Sequence, residues 1–268
     1  MKIYFDQNVW QHLCQNYPVN NFKKDISSKN IEIYFSTGNI YEFGRLFLNK
    51  RNKEMIKKLF TYLWELAEIS KFIKELKYLV LDDLEYARSG GKTLPFLSDI
   101  NTASAKQEIY KISQGNYEEG KKFIKEREND IKKDVPDFIN KVKTVNPPVR
   151  KNIKYEDFRE NWDMRRKILN LSQYRNNARN LSDALLFDQP QKYPFINTLI
   201  NAQLYISFAV LAWKAKPNTY TSDFRHLICA NSAGNFVTMD QKLISIGQKV
   251  CPYIQILGWE DFDKIING

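Results

Sequence analysis

Residues 222–240 read "SDFRHLICANSAGNFVTMD", and the grammar of this stretch decides the fold. "SDFRHLICANSAG" is a helix opened by Asp223 and closed by Gly234. "NFVTM" is a short strand, and Asp240 stands at its end. Working outward, "QKLISIG" gives a short helix, "YIQIL" a last strand and "WEDFDKII" a terminal helix. The other end of the chain repeats the grammar. "KIYF" is a strand ended by Asp6, followed by a helical stretch through about Tyr17. "IEIYF" at 31–35 is a second strand, and "NIYEFGRLF" begins another helix. Short apolar strands alternating with helices predict an α/β fold: a central parallel sheet with helices on both faces.

The middle differs. Residues 51–194 carry long, charge-rich helical patterns such as "NKEMIKKLFTYLWELAEISKFIKEL", "EEGKKFIKERENDIKK" and "YEDFRENWDMRRKILNLSQYR". Pro147-Pro148 interrupts them, and Asp188-Gln-Pro and Tyr193-Pro close them. The reading is one α/β core from 1–50 and 195–268 with a large helical insertion at 51–194. A separate helical domain is the alternative.

At 268 residues, 43% of them hydrophobic and 14% aromatic, the chain can bury a substantial core and is not disordered. Its 41 Lys plus Arg exceed 31 Asp plus Glu, a net charge of +10 that favours a polyanionic partner, nucleic acid being the commonest. Cys14, Cys229 and Cys251 form no Cys-x-x-Cys pair and read as core thiols in a reducing compartment. No long apolar signal region opens the chain. "LYISFAVLAW" at 204–213 is about half a membrane span and reads as a buried helix, so a cytoplasmic protein with no membrane partner is expected. "SGGKT" at 89–93 lacks the earlier glycine of a phosphate-binding loop, since that position is Tyr86, and reads as a turn. "FDQN" lacks the second Asp of an Asp-x-Asp phosphatase pair. The charged run 121–133 reads as a solvated helix face, with nucleic-acid contact as the alternative.

Four acids hold equivalent places in the pattern. Asp6 and Asp240 end strands, Glu42 lies early in the helix after the second strand, and Asp223 opens the late helix. In an open parallel sheet the functional crevice lies at the carboxyl ends of the strands. Carboxylates gathered there repel one another and lose hydration, and cations normally offset both costs. Oxygen ligands suit Mg²⁺ or Mn²⁺ rather than zinc. Each acid also has a plain reading: Asp6 and Asp240 as helix N-caps, Asp223 at the positive end of its helix, Glu42 as a flank residue beside Ile40, Phe43 and Phe47.

"IYFDQNVW", "YFSTGNIYEFGRL" and "SDFRHLICANSAGNFVTMD" together resemble the PIN-domain ribonuclease family, over about a third of the chain at its two ends. The resemblance implies a PIN-like sheet, with Asp6, Glu42, Asp223 and Asp240 as catalytic, metal-binding acids. It implies RNA hydrolysis leaving a 5′-phosphate and a 3′-hydroxyl. Asn8 and Thr238 fall on positions that orient an acid or a phosphate. Gln7 stands where a small residue is common, and the helical middle is far longer than in the small toxin-like members.

His226, three residues after Asp223, is a candidate for phosphate contact or proton transfer, with a packed neighbour as the plain alternative; His12 is a weaker candidate. Arg165, Arg166, Lys167, Arg175 and Arg179, interleaved with Trp162 and Tyr174, form a second substrate-binding candidate, since cations hold phosphates and aromatics stack on unpaired bases. The plain reading there is a solvated helix face with its aromatics in the core. The expectation is therefore a Mg²⁺- or Mn²⁺-dependent endoribonuclease acting on RNA or single-stranded DNA, with homodimerisation left open. A nucleic-acid-binding protein without catalysis is the alternative.

Overall fold

The computed structural model describes residues 1–48, 53–118, 154–213 and 221–268, with positions 121, 125, 140 and 141 between them. β1 (Lys2–Phe5) is followed by α1 (Gln7–Asn16) and α2 (Val19–Ser28), and β2 (Glu32–Ser36) by α3 (Thr37–Leu48) and α4 (Lys53–Ala67). β3 (Ser70–Ile73) leads to α5 (Leu76–Ser89) and α6 (Asp99–Ser113). Shorter helices α7 (Tyr155–Glu160), α8 (Trp162–Leu171), α9 (Arg175–Ala178) and α10 (Asp183–Phe187) precede the long α11 (Pro194–Trp213). Then come α12 (Thr221–Ala230), β4 (Asn235–Thr238), α13 (Gln241–Val250), β5 (Gln255–Gly258) and α14 (Trp259–Asn267).

The strands form one all-parallel sheet in the order β3-β2-β1-β4-β5. Alternate side chains of a strand point to opposite faces, and here both faces are covered. Ile3, Phe5, Ile33, Phe35, Phe72 and Val237 pack into one core with α1, α2, α3, α4, α6 and α14. Tyr4, Tyr34, Phe236 and Ile256 pack into the other, beneath α5, α7 to α9 and α11 to α13. Burial on both sides is why "KIYF" and "NFVT" are almost continuously apolar. Gly234 has φ +79°, a left-handed turn that lets α12 end and β4 begin. A Cβ on Gly247 would stand 2.6 Å from Ile256 Cδ1, so glycine there lets α13 lie close on the sheet.

Residues 51–194 depart from the helical expectation. The run that reads as one long helix breaks after Ala67, and Ser70–Ile73 pairs in parallel with β2 as the edge of the sheet. An edge strand needs cover, and residues 95–97 supply it: Lys74 N–H donates to Pro95 and Leu97 N–H to the Phe72 carbonyl, with Phe96 bridged antiparallel to Ile73. "SGGKT" is the turn expected, Gly90 ending α5 at φ +78° with its N–H on the Tyr86 carbonyl. The run 121–133, apart from 121 and 125, and Pro147-Pro148 lie outside the described residues.

α11 is the one helix among the described residues long and apolar enough to cross a membrane, and most of it is buried within the fold. Its N-terminal N–H groups need acceptors in a dry place. Asp83 of α5 supplies them: Oδ2 accepts from Phe195 and Ile196 N–H at 2.7 and 3.0 Å, and Oδ1 from the Thr93 hydroxyl at 2.6 Å.

Candidate active site

The strand order reverses between β1 and β4, the switch point at which open α/β folds form their crevice. Asp6 continues directly from β1, its N–H donating to Val237 of β4 at 3.0 Å. Its carboxylate is buried and held at both oxygens, Oδ1 by Gln7 N–H at 2.7 Å and Oδ2 by the Thr238 hydroxyl at 2.7 Å. It is a cap and a site residue at once. Thr238 is fully buried, and its oxygen also accepts from Asp240 N–H at 3.1 Å and Asn8 Nδ2 at 3.3 Å. Asn8 closes the loop by accepting Met239 N–H at 3.1 Å. The structure thus uses Asn8 and Thr238 to fix Asp6 against the β4 turn. With no surface of its own, Thr238 orients the acid and does not reach a substrate.

Glu42 arrives from α3. Ser36 and Asn39 set the start of that helix, Asn39 Oδ1 accepting Ser36 N–H at 2.9 Å while its Nδ2 donates to the Phe5 carbonyl at 3.2 Å. This ties the ends of β1 and β2 together and turns the first helical turns over the crevice. Gln7 Nε2 donates to the Glu42 backbone carbonyl at 3.3 Å. The Glu42 carboxylate is buried and lies 2.7 Å from His226 Nε2. The other ring nitrogen, Nδ1, meets the Tyr4 hydroxyl at 2.8 Å, and Tyr4 meets Ser36 Oγ at 2.6 Å.

This chain of contacts sets the charges. Burial acts against the imidazolium, yet the charge of Glu42 and the bond to it win and hold His226 above its usual range. Burial likewise pushes Glu42 up, but His226, with Arg45 and Arg225 further out, brings it below. The two form a buried ion pair. Asp6 is raised by burial despite His226 and its hydrogen bonds. Asp223, half-buried, is pushed up to about 6 by burial and by the charges of Asp6, Glu42 and Asp240, against the pull of His226. All four acids therefore act on one crevice.

They do not share it equally. One ligand atom each from Asp6, Glu42 and His226 falls within 4.8 Å of the others, a buried group that could hold a metal ion. His226 as it stands has both ring nitrogens engaged, so it neutralises Glu42 and is not itself a free donor. The oxygen donors of Asp6 and Glu42 in that group suit a hard cation, and Asp223, raised by burial and then by their charges, is the acid a cation there would relieve. Asp240 stands apart in exposure and employment: its Oδ1 caps α13, accepting from Lys242 and Leu243 N–H at 2.8 and 3.1 Å.

Of the second cluster, Lys167, Arg175 and Arg179 are exposed, while Arg165 and Arg166 are engaged within the fold. Arg165, expected on a nucleic-acid surface, is buried, its guanidinium donating to Asn201 at 3.1 Å and Asn197 at 2.8 Å over the Phe187 ring. Arg166 pairs with Asp183 and donates to the Leu181 carbonyl at 2.8 Å. Tyr174 is buried and Trp162 is partly exposed. Charged residues on a helix do not tell from sequence which face turns inward, and here α11 offers two Asn carbonyls to a buried Arg. His12 packs on Trp259 and contacts Asn16.

Tyr4, Ser36 and Asn39 were not singled out from sequence. Their signals are faint: a buried strand Tyr needs a hydroxyl partner, and Ser-x-x-Asn at a helix start lets the Asn side chain accept the Ser N–H, one half of a capping box.

No family model, no curated protein and no solved structure matches this chain.

Proposed function

We propose that the protein is a metal-dependent endoribonuclease with a PIN-like fold. The observation that carries this reading is the buried group of Asp6, Glu42 and His226 at the switch-point crevice, beside which burial first, and then the charges of Asp6, Glu42 and Asp240, push Asp223 up to about 6. Such a crevice is a poor choice for a structural role, since it costs stability unless something positive occupies it. Mg²⁺ or Mn²⁺ held by Asp6, Glu42 and Asp223 would supply an activated water and offset charge on the phosphate.

In this reading the protein's own groups divide the remaining work. Thr238 and Gln7 N–H hold Asp6 in one orientation. His226 holds Glu42 and stays out of contact with substrate. Asp223, the most accessible of the clustered acids after Asp240, would complete the oxygen ligands of the ion. Arg45 and Arg225, whose charges reach Glu42, would take the phosphate-holding role expected of Arg165 and Arg166.

A second reading, nucleic-acid binding without hydrolysis, has one observation in its favour: the His226–Glu42 pair already neutralises one acid with no ion. Incubating a mixed pool of RNA and single-stranded DNA with Mg²⁺, Mn²⁺ or EDTA separates the two. Cleavage with either metal, lost in EDTA and in Asp223→Asn, is expected. Tight binding without cleavage under both metals would establish the second reading instead.

A further inference from the structure

A cavity of about 670 Å³ opens at the carboxyl ends of β2 and β3, between the starts of α3 and α5 and the length of α6. It shares two elements with the site. Thr37 and Ile40 of its wall belong to α3, which carries Glu42, and Thr37 follows Ser36, the partner of Tyr4. Neighbouring strands lie about 4.8 Å apart, which places the cavity on the order of 5–10 Å from the end of β1. That is within reach of the next one or two nucleotides of an unstacked single strand, which extends further per nucleotide than the roughly 3.4 Å of a stacked helix.

The lining selects an occupant. Ile40, Leu97 and Ile112 supply apolar lining, and Tyr78, 54% exposed, adds an aromatic ring. The lining holds three acids, Glu75, Asp82 and Glu108, against one cation, Lys74; Lys74 is tied to Asp82 at 2.6 Å, and Lys111, from outside the lining, reaches one oxygen of Glu108 at 3.1 Å. A phosphate is repelled there. A flat ring with N–H donors on its edge is not: it stacks on Tyr78 and the aliphatic walls and donates to Glu108, Ser104 and Asn101. Adenine, cytosine and guanine carry an exocyclic amine, whereas uracil presents only carbonyl oxygens and a ring N–H on that edge.

We propose that this cavity holds an unpaired nucleobase bearing an exocyclic amine, one or two nucleotides along the strand from the phosphate at the acid cluster. The placement rests on the nuclease reading; the base site itself does not.

The test uses the full chain in two arms. In EDTA, equilibrium dialysis with adenosine and uridine at millimolar concentration probes the cavity without phosphate or metal. Adenosine is expected to bind at least fivefold more tightly than uridine, and Ser104→Trp, which fills the mouth from an exposed position, is expected to abolish it; Tyr78→Ala is expected to weaken it several-fold. With metal, a walk of one abasic site along a short RNA is expected to slow cleavage about tenfold at one or two positions beside the cut, a penalty lost in Ser104→Trp. No adenosine binding, equal binding of uridine, or binding unchanged in both variants overturns the base site. Adenosine binding that Ser104→Trp removes, in a protein that cuts no RNA, keeps the site and overturns the nuclease. Cleavage with a flat abasic walk overturns the proposed placement and keeps the nuclease.

Discussion

His226 Nε2 lies 2.7 Å from Glu42 while its Nδ1 meets Tyr4, so a buried imidazole spans the strand β1 and the helix α3 at the point where the acids gather. Removing one partner of a buried pair leaves the other charge uncompensated, at a cost of roughly 3–5 kcal/mol. His226→Leu is expected to lower Tm on the order of 10 °C at neutral pH. Glu42→Gln, which keeps a hydrogen-bond acceptor for Nε2, should cost less. The pH dependence follows from the two directions. His226 is raised, so its contribution is complete below its ordinary value of 6.5 and lost as pH rises through the raised one. Glu42 is lowered, so its contribution is complete above 4.5 and lost as pH falls through the lowered one. Thermal unfolding across pH 3 to 9 should show a stability plateau whose alkaline edge moves to lower pH in Glu42→Gln, while the acid-side decline due to Glu42 disappears. An identical profile in the variant would mean that the pair contributes nothing.

Asp6 and Asp240 can be separated by metal binding. Asp6 is buried, oriented at both oxygens and within 4.8 Å of the other ligand atoms, whereas Asp240 is exposed and caps α13. Calorimetry with Mn²⁺ should find binding lost in Asp6→Asn and weakened only a few-fold in Asp240→Asn. Asn is as good an N-cap as Asp, so the second variant should keep wild-type stability, while Asp240→Ala should lose about 1 kcal/mol. Equal Mn²⁺ affinity in wild type and Asp6→Asn would remove the metal site.

Arg165 gives the third test. Its guanidinium is inside the fold, bonded to Asn197 and Asn201, so Arg165→Met should leave the salt dependence of RNA binding untouched. It should destabilise by roughly 2–3 kcal/mol, because two Asn oxygens lose their donors in a dry site. Arg225→Ala, by contrast, should reduce the slope of log K against log salt by about one contact. A reduced slope in Arg165→Met alone would return the RNA surface to α8.

The ends of the chain were legible because strands buried on both faces are short and almost wholly apolar, and each is followed by a helix. Asp6, Glu42, Asp223 and Asp240 were legible for the same reason, as polar residues at fixed places in that pattern. β3 was not: "SKFI" is four residues inside a run whose apolar spacing suits a helix on either side. Nor was the fate of Arg165, since its partners, Asn197 and Asn201, lie 32 and 36 residues away on α11, and only their four-residue spacing in an apolar helix hinted at a buried polar face. His226 could be placed beside Asp223 from sequence, but its partner Tyr4 is 222 residues distant and its link to Glu42 exists only in three dimensions.

Asp83 carries the last prediction. It is fully buried, accepts from Thr93 and from the first N–H groups of α11, and burial nevertheless raises it from 3.8 to about 7. The folded state therefore holds a proton that the unfolded state releases near pH 4. Stability from this group is complete below about pH 4, declines as pH rises, and is lost once pH passes about 7. The difference corresponds to on the order of 4 kcal/mol at 1.36 kcal/mol per tenfold change in proton affinity. Asp83→Asn keeps the shape and an acceptor for α11 but cannot ionise. Guanidinium unfolding at pH 5, 6, 7 and 8 should show the variant gaining on wild type at each step up to about pH 7. A constant gap across that series would mean that Asp83 is ionised throughout, its three hydrogen bonds outweighing its burial. Asp83→Ala, which leaves the Phe195 and Ile196 N–H groups without an acceptor, should be destabilised at every pH by roughly 1–3 kcal/mol for each group.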